Sequence, residues 1–184
     1  CILFLAWRLD WLKASGISRA GSWQVWLLAL VGLVYFASAS LYSFYGRIAF
    51  DFSSLLQLPD ARAAVINHFI AGLSEEILFR GLILYALLRV WGSTTRGIFG
   101  GVLLDSALFA LVHITQVFTY GVSLSSALLL VLQALVVAFW WGALVVMGGS
   151  IWPAVTLHFV VNAVVAVQGL ITPMVEPGIL AYTQ

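Results

Sequence analysis

The sequence predicts an all-α protein, a polytopic transmembrane helical bundle of about five spans. Three observations predict it. Of the 184 residues, 63% are hydrophobic and only 8% charged, where a soluble domain carries about 25% charged residues. The mean hydropathy is +1.09. Five stretches are long and apolar enough for a spanning helix, which needs about 20 such residues. The net charge of +1 excludes nucleic acid and acidic partners as the natural expectation. The single cysteine, Cys1, excludes an intrachain disulfide and a cysteine-based metal cluster.

The opening "CILFLAW" reads as the end of an apolar segment and carries no signal-peptide pattern. The chain is therefore expected to start partway through a longer protein, and a sixth span would end there. Residues 8–22 are polar and partly amphipathic, and read as a surface-lying helix or a connector. Residues 23–45 form the first expected span. The loop "YGRIAFDFSSLLQLPDAR" follows, with a short interfacial helix, and Pro59 and Asp60 signal the start of the second span at 61–90. The remaining spans are 97–120, 124–147 and 151–170, with Gly148, Gly149 and Pro153 turning the chain before the last. The tail after Pro173 is uninformative. The chain thus reads as one transmembrane domain over 1–184, with a stub and connector at 1–22 and a catalytic core at 61–170.

Basic residues flanking spans set orientation. With the connector in the cytoplasm, the inside holds Arg8, Lys13, Arg19, Arg89 and Arg96, and the outside only Arg47 and Arg62. A cytoplasmic connector is expected. Most of the eight tryptophans cluster near span ends, as an aromatic belt does. Trp140 and Trp141 lie deeper and are expected to line a cavity, while "GIFGG" offers a small-residue face for close helix approach.

An ionisable side chain within hydrocarbon faces the bundle interior and finds a partner. The spans leave a short list: Glu75, Glu76, Arg80, Asp105, His113, His158 and Asn162, with His68 near the start of the second span. Glu76 and Arg80 are one helical turn apart, acid before base, the better order for an ion pair. Glu75 lies about 100° around the helix from Glu76, so the two acids need not share a task. His158 and Asn162 share a face. Asp105 is at a depth from which it could compete with Glu76 for Arg80.

Measured from the cytoplasmic ends, Glu75 lies about 22 Å along its span and His113 about 24 Å, so they could meet. His158 lies only about 10 Å in. Either the "GGSIWP" turn dips into the bilayer, or the span ends are misplaced by a turn or two. Chemically, a carboxylate beside a histidine can hold and deprotonate a water. A second histidine and an asparagine amide can donate to the oxyanion formed when that water attacks a peptide carbonyl.

These residues carry a resemblance. "EEILFR" fits Glu-Glu-x-x-x-Arg, "FALVH" (Phe109 to His113) fits Phe-x-x-x-His, and "HFVVN" (His158 to Asn162) fits His-x-x-x-Asn. Each pattern alone is weak; all three in order, each within an expected span, resemble the CAAX protease and bacteriocin-processing family of glutamate-type intramembrane proteases. The preceding "GSIWPAVTL" is similar to members as well, and the resemblance covers roughly residues 67–168. It implies an endopeptidase of a membrane-associated peptide or protein, most simply in a bacterial inner membrane. Glu75 would activate water with His113, His158 and Asn162 would form the oxyanion site, and Glu76 and Arg80 would hold the geometry. Eukaryotic relatives trim prenylated C-terminal peptides; bacterial ones process peptides or serve in bacteriocin immunity and protein sorting.

Blander readings stand beside this one. Glu76 with Arg80 can simply fix helix register, a lone span histidine is more often a packing residue, and Asn162 alone would be interhelical glue. His68 reads best as an interfacial polar residue. No cofactor is expected. A zinc hydrolase using His113, His158 and a glutamate is chemically acceptable, although no His-Glu-x-x-His segment occurs. A proton-coupled transporter would also place acids and histidines within spans, but no paired halves with broken helices are visible. A non-catalytic immunity or scaffold protein retaining the motifs is the fourth reading.

Overall fold

The computed structural model describes residues 4, 7–44, 61–119, 121 and 123–171. Among these, every regular element is helical. Helix α1 spans Trp23–Phe44 and α2 Ala61–Glu76; a π-helical segment, Ile77–Leu84, leads from α2 into α3, Tyr85–Trp91. Helix α4, Thr95–Val112, passes through a 3-10 turn, His113–Thr115, into the short α5, Gln116–Thr119. Helix α6 covers Leu124–Gly148 and α7 Trp152–Ile171. The ends of these helical stretches fall within two residues of those drawn from hydropathy, because apolar length and turn residues alone fix them. Beyond Arg8, residues 9–22 form turns and extended chain, a connector and not a surface helix. Cys1, the interfacial helix expected at 45–60 with Arg47, Pro59 and Asp60, and the tail after Pro173 lie outside the described residues.

Two helical stretches are long and apolar enough to cross a membrane among the described residues: Thr95–Thr119, with mean hydropathy 1.8, and Leu124–Gly148, with 2.4. They account for two of the five expected spans. Their outward faces are apolar. Leu103, Leu108, Leu111 and Val112 on the first, and Leu128, Leu129, Leu132 and Val136 on the second, are all exposed, as a helix facing lipid requires.

Local chemistry sets the helix ends. The Thr94 hydroxyl accepts from the Gly97 N–H at 3.0 Å at the start of α4, and Ser123 accepts from the Ser126 N–H at 3.2 Å ahead of α6. Both satisfy amides that have no partner within the helix. Helix α6 stops at Gly149, whose φ of +62° is left-handed, a conformation glycine adopts without a Cβ clash. Pro153, the second residue of α7, sits where a missing N–H costs nothing.

The contacts divide into two units, Cys1–Leu28 with Glu75–Ala154, and Ala29–Ser74 with Val155–Gln184. In the first, α4 and α6 pack against one another and against the π-helical segment. Its centre is a set of edge-to-face aromatic contacts, Phe79 on Phe109 at 5.1 Å and Phe109 on Trp141 at 6.4 Å. Residues 11–22 lie as a strap across the turn between α6 and α7. The Ser150 hydroxyl donates to the Arg19 carbonyl and the Trp152 indole N–H donates to the Ile17 carbonyl at 2.9 Å. Ser150 and Ile151 are consequently completely buried. The "GGSIWP" turn is thus covered by the strap. In the second unit, Phe69 of α2 meets Phe159 of α7 edge-on at 5.4 Å.

Two glycines give opposite expectations. Gly16 has φ +83°, and a Cβ there would lie 2.8 Å from the Ser150 Cα. Gly100 is helical and a Cβ there would meet nothing within 4 Å. Gly16→Ala should destabilise by about 1–3 kcal/mol through left-handed strain and overpacking, whereas Gly100→Ala should stabilise by up to about 1 kcal/mol. Thermal unfolding in detergent reads both signs; equal midpoints for the two variants would contradict the strap geometry.

Candidate active site

The first unit holds a buried charge cluster built from three elements. Arg80, in the π-helical segment, is 1% exposed, and Glu76 and Asp105 are 0% exposed. The guanidinium NH1 lies 3.2 Å from Glu76 Oε1, the pair expected from their spacing. Its Nε lies 3.7 Å from Asp105 Oδ2 on α4, so Asp105 does not displace Glu76; the guanidinium engages both. Its NH2 donates to the Ala138 carbonyl of α6 at 3.4 Å. The Cζ sits 4.4 Å over the Phe109 ring and 5.8 Å from that of Trp141. Trp141 therefore packs on the guanidinium and on Phe109; Trp140 is half-buried. A buried charge costs several kcal/mol unless paired, and here two carboxylates and two aromatic faces surround it.

The winding explains how the sequence reaches this arrangement. Phe79, Arg80, Gly81 and Leu82 are consecutive and all buried, which a one-faced α-helix does not allow. The wide i→i+5 turns of a π segment, frequent at functional sites, begin at Ile77, directly after the Glu75–Glu76 pair. Glu75 is half-buried at this junction.

His113 is half-buried where α4 tightens into the 3-10 turn. Its ring lies 5.1 Å from the Phe109 ring, and its Nδ1 is 3.1 Å from the Phe109 carbonyl oxygen. A carbonyl only accepts, so this bond requires the proton on Nδ1, which leaves the lone pair of the neutral ring on Nε2. Phe109 thus touches both the Arg80 guanidinium and His113, linking the first and second motifs.

In the second unit, His158 is 5% exposed on α7 and Asn162 is half-buried one turn later. Both lie against Gly72 of α2: a Cβ on Gly72 would stand 3.4 Å from His158 Cγ and 3.6 Å from Asn162 Nδ2. Gly72 therefore brings the α2 backbone flat against the third motif, three residues ahead of Glu75 in the chain. His68 is half-buried on the same helix. Among the described residues, no three His, Cys, Asp or Glu side chains are grouped as a metal site.

Helical elements alone among the described residues, two of them long and apolar enough to cross a membrane, and a buried Glu76–Arg80–Asp105 cluster fit the class of membrane-embedded helical proteins. The chain belongs to the type II CAAX prenyl endopeptidase Rce1-like family, whose sequence profile matches residues 57–164, more than half of its length. The match begins ahead of the expected 67 and ends before 168, and contains all three motifs. The family is one of intramembrane proteases, which implies a peptide or protein substrate in the membrane. No curated protein and no solved structure matches the chain.

Sequence reasoning gave Asp105 only a competing role and gave Phe109 none of its own. It passed over Gly72, Gly81 and the strap. The signals were faint: a glycine three residues before the paired acids and another directly after the arginine.

The Arg80–Asp105 contact is tested by a double-mutant cycle with Arg80→Gln and Asp105→Asn, read as unfolding free energy in detergent. The expected coupling is about 1–3 kcal/mol. Additive effects would mean that the two groups do not interact.

Proposed function

We propose that the chain is an endopeptidase in which Glu75 and His113 activate a water for attack on a peptide bond of a membrane-associated protein or peptide. Glu75 takes a proton as the water oxygen bonds to the carbonyl carbon, and His113 orients that water through Nε2. His158 and the Asn162 amide donate to the oxyanion of the tetrahedral intermediate. When the carbon–nitrogen bond breaks, the proton held by Glu75 passes to the departing amine. Glu76, paired with Arg80, holds the helix that carries Glu75. The reaction needs no cofactor.

The observation that carries this reading is the placement of Gly72 against His158 and Asn162. On the helix that leads to the proposed base, that bare backbone leaves room for both donor side chains. The Nδ1–H of His113, held by the Phe109 carbonyl, supports the second half of the assignment, since it fixes which nitrogen is left to accept from water. Family membership supports the reaction class. The substrate is one that lies in or on the membrane.

The test begins with proteomics of membrane fractions from cells expressing the chain or its Glu75→Gln variant, to find the peptide termini that depend on Glu75. On the peptide so identified, Glu75→Gln and His113→Ala should each lower turnover by about 100-fold or more, and Asn162→Ala by about 100-fold. All three proteins should still insert and fold, whereas Glu76→Gln should mainly lower thermal stability. Cleavage should survive strong chelators; inhibition reversed by added zinc would favour a metal hydrolase. A wild-type rate for Glu75→Gln would remove the assignment.

A further inference from the structure

The strap lies entirely ahead of the family match at 57–164, and no motif residue falls within it. It nonetheless touches two of the three motif-bearing segments. On one side, the Ile17 side chain packs on Gly81, the residue after Arg80: a Cβ on Gly81 would lie 3.0 Å from Ile17 Cδ1. Trp11 meets Tyr85 edge-on at 5.1 Å, one residue beyond the π-helical segment. On the other side, the Ile17 carbonyl accepts from the Trp152 indole N–H, the Gly16 carbonyl from the Ile151 N–H at 3.4 Å, and the Arg19 carbonyl from the Ser150 hydroxyl. Ser150 in turn accepts from the Trp152 N–H at 3.2 Å and so ties the first residue of α7. One residue, Ile17, therefore contacts both segments, through its side chain and its carbonyl.

We infer that residues 11–22 act as a positioning clasp for the proposed catalytic site. Ile17 holds the start of α7, the helix bearing His158 and Asn162, in register with the π-helical segment that follows Glu75 and Glu76. The argument is geometric. Two helical segments distant in sequence share no covalent link shorter than α3 to α6, yet both seat on the Gly16–Ile17 pair of one strap. Gly16 is left-handed with no room for a Cβ against Ser150, so the strap backbone sits directly on the turn. Displacements of about 1 Å from the reactive geometry can cost about 100-fold in rate, which makes such a clasp matter for turnover without any strap residue touching substrate. The clasp deepens the hydrolase reading above and rests on it for its effect on rate.

The test uses the full chain in lipid nanodiscs with two variants, Ile17→Ala, which removes the packing on Gly81, and Trp152→Phe, which removes the indole donor while keeping an aromatic ring. The readouts are amide hydrogen exchange and steady-state kinetics on the peptide identified with Glu75→Gln. Each variant is expected to speed exchange both at 77–84 and at 148–158, and to lower kcat by about tenfold or more with KM within about twofold. Combining the two should add little to either alone, since both open the same clasp. Faster exchange confined to residues 11–22 with unchanged kcat would overturn the proposal, making the strap a passive cover. A wild-type chain that cleaves no peptide would defeat the hydrolase reading by itself, and the exchange pattern would still decide whether the clasp exists.

Discussion

The guanidinium of Arg80 sits where no unpaired charge could remain, and the first unit is arranged around satisfying it. Glu76 approaches along its own helix, Asp105 from α4 and the Ala138 carbonyl from α6, while Phe109 and Trp141 supply ring faces. Away from water each of these contacts is worth more than at a surface, and removing the guanidinium itself would leave two buried carboxylates uncompensated. The cluster thereby fixes how three helical elements meet. A register shift by one residue on α4 would carry Asp105 and Phe109 away together.

That constraint extends towards chemistry through Phe109. The same ring lies against Arg80 and against His113, and the same residue's carbonyl takes the Nδ1 proton of His113. In the proposed mechanism the histidine's tautomer and orientation thus follow from the packing that neutralises Arg80. In that mechanism the Glu76–Arg80 ion pair also orders the helix junction that carries Glu75. On the other motif, Gly72 performs the simpler task of leaving room for His158 and Asn162.

Much of this was legible in the sequence, for identifiable reasons. Hydropathy located the helical stretches to within two residues because lipid demands apolar length, and Gly149 marks the end of α6 as turn chemistry requires. The acid–base spacing of Glu76 and Arg80 announced their ion pair, and three motifs in order announced the family. The π-helical winding at Ile77–Leu84 was not legible, because i→i+5 pairing has no residue signature and is imposed by neighbours that bury four consecutive side chains. The simultaneous grip of Arg80 on two acids needed the packing of α4 on the π segment, which spacing along one helix cannot reveal. The covering of the turn before α7 depended on a strap 131 positions away in sequence, beyond any local pattern.

The central claim is that the planar guanidinium of Arg80, ion-paired with Glu76 and Asp105 and hydrogen-bonded to the Ala138 carbonyl, and not merely a positive charge at that position, orders the proposed hydrolytic site. Turnover by the purified Arg80→Lys variant in nanodiscs tests it most directly, because lysine keeps the charge and loses the fork that reaches Glu76, Asp105 and Ala138 together. A loss of at least about 100-fold in kcat, in a variant with native helical content and membrane insertion, is the expected result. Turnover at the wild-type rate would contradict the account.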